Sequence, residues 1–137
     1  MRKTWFAVAA LFSLCACGKD AVTPLPSDIS GTYKLDNVSG ITLPVQLAST
    51  DTSNVYIYAG TLVLNPTREF TVTEADQTIT IRHDTTNAVA TSTGTYTFSD
   101  GTVTLHYNDR NVSVTGTYDA STVALSGGGI VFIYKKQ

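Results

Sequence analysis

The sequence predicts an all-β domain, an antiparallel up-and-down meander of eight to ten strands closed as a barrel. Three observations predict it. From Ser30 onward apolar residues recur with a period of two, and no segment carries the 3.6-residue period of a helix. Short clusters of Gly, Asn, Asp, Ser and Pro break the pattern at close intervals, and loops that short join only antiparallel neighbours. No connection is long enough for a Greek-key sandwich, so the sheet hides its apolar face by closing on itself.

The elements read in order from the N-terminus. Arg2 and Lys3 precede an apolar stretch from Trp5 to Ala16, well short of the ~20 residues that span a bilayer. Residues 1–16 are expected to be an export signal. The stretch ends Leu14-Cys15-Ala16-Cys17-Gly18, which resembles the lipobox of bacterial lipoproteins: Leu three residues before the cysteine, a small residue directly before it. The alternative is an ordinary signal peptide with incidental cysteines. The resemblance implies that Cys17 becomes the first residue of the mature chain and carries a diacylglycerol thioether and an amide-linked acyl chain, an anchor of several chains. Gly18-Lys19 places no Asp directly after the cysteine, which points to the outer rather than the inner membrane.

Loss of Arg2 and Lys3 takes the formal charge from −2 to −4, and no basic cluster remains for nucleic acid. Both cysteines lie in the leader region, so the exported domain has no disulfide and relies on packing. Residues 17–29 form a tether. Gly18 to Asp28 reads GKDAVTPLPSD, and Pro24 and Pro26 favour an extended linker, roughly 30 Å long at ~3 Å per residue.

Residues 30–137 form the barrel domain. Tyr33 and Leu35 share a face opposite Thr32 and Lys34; Leu62 and Leu64 share another. Phe70 and Val72, Ile79 and Ile81, and Tyr96 and Phe98 each alternate with threonines or other polar residues. Val103, Leu105 and Tyr107 oppose Thr102, Thr104 and His106, and Val112 and Val114 oppose Ser113 and Thr115. Val123 and Leu125 follow, and Ile130 to Tyr134, including Phe132, is apolar on both faces. The paired apolar residues are the candidate lumen and core. Threonine, β-branched and polar, suits the wet face of a strand. Pro44 demotes one strand in 41–58 to an edge or bulge, and Gly60 marks a bend. Gly-Thr steps at Gly31, Gly60, Gly94, Gly101 and Gly116 are irregularly spaced, and each glycine is expected to open a strand.

Several of these segments together, Gly31-Thr32-Tyr33-Lys34-Leu35, Val38-Ser39-Gly40 with Leu43-Pro44, Gly60-Thr61-Leu62 with Leu64, and Gly94-Thr95-Tyr96, resemble small bacterial lipocalin-like lipoprotein domains. Tyr33 stands where lipocalins carry the Trp of Gly-x-Trp. The resemblance implies a lipocalin-like barrel of eight to ten strands whose lumen takes a small apolar ligand.

Residues for catalysis are not found. His83 and His106 are expected on opposite sides of the wall, so no shared metal and no cofactor is expected. Strand neighbours His83 and Asp84 cannot orient one another. Glu69 and Glu74 have odd spacing, so they make no carboxylate pair. Gly127-Gly128-Gly129 has no following helix and reads as a hairpin turn. The seven tyrosines could line a lumen for amphipathic ligands. The alternative, favoured because eight-stranded barrels are only just wide enough for side chains, is that the rings fill it and seal its ends. The expected function is therefore a membrane-anchored, non-enzymatic lipoprotein binding a small apolar ligand. The alternative is a solid barrel whose loops bind an envelope protein.

Overall fold

The computed structural model describes residues 28–137. The predicted leader 1–16, Cys17 and the predicted tether as far as residue 27 lie outside the described residues. Ten strands follow in order: β1 (Gly31–Val38), β2 (Ile41–Thr42), β3 (Val45–Ser49), β4 (Ser53–Leu64), β5 (Glu69–Thr80), β6 (Thr85–Ser99), β7 (Thr102–Tyr107), β8 (Ser113–Asp119), β9 (Thr122–Gly127) and β10 (Ile130–Lys136). From β4 to β10 each strand pairs antiparallel with the next, and β1 pairs with both β10 and β4. Eight strands thus close a barrel by meander, and β2 and β3 are additions on β1 and β4.

Turn chemistry sets the hairpins. Ser39-Gly40, Asp100-Gly101, Ala120-Ser121 and Gly128-Gly129 all have positive φ at both central positions. That geometry matches the right-handed twist of the flanking strands. The β1–β4 closure spans only four pairs, Gly31↔Leu64 to Lys34↔Thr61. Beyond it β1 turns to β2 and β4 to β3, with Val45 buried and Leu43 and Leu47 packed against the core.

The hydrophobic core fills the barrel. Tyr33, Leu35, Leu62, Leu64, Phe70, Val72, Tyr96, Val103, Leu105 and Tyr134 are buried, and Phe98, Tyr107, Val114 and Phe132 pack partly buried against them. Ile29, the last hydrophobic residue of the predicted tether, is fully buried too. Three candidate core residues are placed differently. β5 runs unbroken against β6, so the face that buries Phe70 and Val72 continues through Glu74 and Asp76. Ile79 therefore shares the outer face of Thr71 and Thr73 and is only half-buried. Ile81 lies beyond the strand end and is 68% exposed, and Val112 precedes β8 and is 48% exposed.

The glycines also divide. Gly31 and Gly101 stand at strand starts, but Gly60, Gly94 and Gly116 lie inside β4, β6 and β8. A Cβ on Gly94 would sit 2.0 Å from the His106 carbonyl oxygen, and one on Gly116 1.9 Å from that of Ala124. Only glycine admits so close a backbone approach.

Candidate functional site

The two ends of the barrel differ. At one end the chain enters at Asp28, whose carboxylate accepts the Ser30 N–H at 2.8 Å. Tyrosines seal this end. The Tyr33 hydroxyl donates to the Ile29 carbonyl, and the Tyr96 hydroxyl donates to the Asn65 carbonyl at 2.8 Å. Phe98 meets Tyr118 edge-on at 5.7 Å between ring centres. Lys136 lies 5.7 Å from the Tyr33 ring centre and Arg68 5.4 Å from that of Tyr96. Burial raises the ionisation of both Tyr33 and Tyr96, so these hydroxyls stay protonated donors.

The other end holds a cavity of about 220 Å³. Val72, Val114 and Phe132 form its apolar wall, and Glu74, Ser92, Tyr107 and Arg110 its polar one. Val112, predicted for the core, stands at its rim. Glu74 arrives by strand parity, two residues past Val72 and opposite Gly60 on β4. A bulge at Tyr58 then brings Ile57 opposite Asp76.

Burial raises the Glu74 carboxyl above the ordinary range, the neighbouring Asp76 charge raises it further, and Arg110 opposes both. One Asp76 oxygen is buried without a hydrogen-bond partner. Tyr107 closes the side of the cavity, its ring edge-on to Phe70 at 5.0 Å. Burial and then the Glu74 charge raise its hydroxyl ionisation. The Arg110 guanidinium sits 5.4 Å from the Tyr107 ring centre and donates to the Ser92 hydroxyl at 2.9 Å. It is thereby held across the mouth by a stacking contact and one hydrogen bond. Larger depressions, of about 410 and 420 Å³, lie at the tip of the β5–β6 hairpin and on the outer wall. They are open to solvent, with threonine the commonest residue in each lining, so they enclose little.

The site joins predicted residues to three that apolar alternation does not mark, Glu74, Ser92 and Arg110. Val72, Tyr107, Val114 and Phe132 were legible as inward apolar positions. Glu74 was compared with Glu69, on the other face, although even spacing from Phe70 and Val72 marks it as inward. Even spacing pairs it instead with Asp76, so two carboxylates do share the inner face. The histidines are not on opposite sides of the wall: both are exposed. His83 has left β5 for a turn with φ 64°, and His106 meets the Ser113 hydroxyl at 2.7 Å on the outside. Among the described residues no three His, Cys, Asp or Glu side chains cluster as a metal site. No family model, curated protein or solved structure matches the chain.

Proposed function

We propose that this chain is a lipid-anchored binding module of the bacterial envelope that takes a small amphipathic ligand at the open mouth of its barrel and performs no catalysis. The observation that carries the reading is Glu74, a part-buried carboxyl that faces the apolar wall of Val72, Val114 and Phe132 across the enclosed mouth described above. A ring or short alkyl group fits against Val72, Val114 and Phe132. A hydrogen-bond donor or cation on the same ligand meets Glu74, and an acceptor meets Arg110 or Tyr107. Drug-sized sites measure ~300–1,000 Å³. A mouth of about 220 Å³ suits a smaller group, or the end of a longer molecule that continues into solvent. Inward apolar residues and an outward threonine wall suit a water-facing barrel rather than a pore through lipid. Anchored through Cys17 in the outer membrane, the barrel would turn its sealed end to the lipid and its mouth away.

Native mass spectrometry of protein released from its own membrane tests this. A small adduct is expected on the parent chain, and Val114→Trp, which fills the cavity, should remove it. A folded parent chain of bare mass rejects the reading. One observation favours a second reading, a solid barrel that binds an envelope protein by its loops. The exposed apolar residues Ile41, Ile81 and Val112 all lie in or beside connections at the mouth end. Whole-cell crosslinking from position 112 tests it, and the absence of any product rejects it.

A further inference from the structure

The flank of the β5–β6 hairpin is an open hydrogen-bonding edge whose sequence complements itself. β6 pairs with β5 from Thr85 to Thr95, but with β7 only from Gly94 to Ser99. Thr85–Ser92 therefore has a strand on one side alone. On the β7 side the Thr93 carbonyl accepts the Asn108 N–H at 3.0 Å. Along an antiparallel strand alternate residues turn their backbone groups to the same side. Thr85, Asn87, Val89 and Thr91 thus present free N–H and C=O groups. Proteins usually protect such an edge with charge, proline, a bulge or short length. The stretch from Thr85 to Thr93 reads TTNAVATST, without charge or proline, and its register on β5 is unbroken. Val89, at its centre, is 71% exposed.

About Val89 the stretch is nearly palindromic. Antiparallel pairing centred there sets Val89 on Val89, Ala88 on Ala90, Asn87 on Thr91 and Thr86 on Ser92, all within the open stretch. We infer that two copies of this chain dimerise edge to edge along β6, about a two-fold axis at Val89, and join their hairpins into one continuous sheet. The register that matches side chains also matches hydrogen bonds, because outward-facing residues meet outward-facing residues. Such a contact is isologous and closes at two copies rather than growing into a fibre. It uses backbone pairing for affinity, as in strand addition. It stands independently of what the barrel mouth binds.

The test uses the full chain in its membrane. A hydrogen-bonded antiparallel pair holds its Cα atoms ~5.5 Å apart, within disulfide reach. Mild oxidation of Val89→Cys should give a dimer band stronger than any from the parent chain. Thr85→Cys, about 26 Å from its mate in this register, should give none. Val89→Pro removes an N–H that is free in a single copy, so it spares the barrel and should abolish the dimer in sedimentation of detergent-solubilised protein. Val89→Lys does the same by charge, should proline disturb folding. Three results each overturn the inference: a monomeric parent, a Val89→Cys band no stronger than that of Thr85→Cys, or a dimer that survives both Val89→Pro and Val89→Lys.

Discussion

Glu74 is a carboxyl whose ionisation the barrel wall opposes, because burial and Asp76 both act against its charge. Its folded carboxyl binds a proton more tightly than the unfolded one. Its favourable contribution is therefore complete below the unfolded value, 4.5, and is lost as pH rises through the raised folded value. Glu74→Gln should be more stable than the parent at pH 7, with the difference closing towards pH 4. Urea unfolding at the two pH values measures it. Gly94 makes the opposite case, a residue fixed by what surrounds it. Gly94→Ala drives a Cβ towards a backbone carbonyl and to 2.6 Å from the Phe70 ring. A loss at the upper end of the ~1–3 kcal/mol range for overpacking is expected in thermal unfolding. Side-chain facing was legible wherever a strand could be recognised whole. Ile79 was misplaced because an apolar pair was given its own strand, when parity inherited from Phe70 decides its side.

At the scale of elements, turns were the best-signalled features and the long hairpin the worst. Four tight hairpins fall where Ser-Gly, Asp-Gly, Asp-Ala-Ser and Gly-Gly-Gly mark them. Ala120-Ser121 adopts positive φ without a glycine, at φ 41° and 73°. L-residues there cost ~1–2 kcal/mol each. Ser121→Gly should recover about 1 kcal/mol of this, seen as a raised melting temperature. The first half of β6 carries no inward row of large apolar residues to mark it as a strand. It is a strand because β5 hydrogen-bonds it along one edge and side chains bridge the two. Tyr58 donates to Gln77 at 2.6 Å, and Gln77 donates to Asn87 at 2.8 Å. Such support comes from a cross-strand neighbour, which periodicity along one segment does not register.

At the scale of the molecule, the filled interior and the projecting hairpin should respond differently to truncation. Leu105 is fully buried, and Leu105→Ala should cost ~2–5 kcal/mol. Ile81→Thr, at the exposed hairpin tip, should stay within about 0.5 kcal/mol of the parent. Denaturant unfolding of both variants makes the comparison. Meander order and the expectation of a closed barrel followed from short loops and one apolar face. Which strands meet to close it, β1 with β4, and the β2–β3 excursion did not, since Pro44 obscured the local pattern and that pairing is decided between segments remote in sequence.

That closure imposes an order on synthesis. The earliest strand has β10 as its flanking neighbour over Tyr33–Val38, so its wall stays unfinished until β10 exists. Contacts of such long sequence separation make folding slow. A nascent chain of this design cannot complete its barrel before β10 has been made, and remains threadable until then.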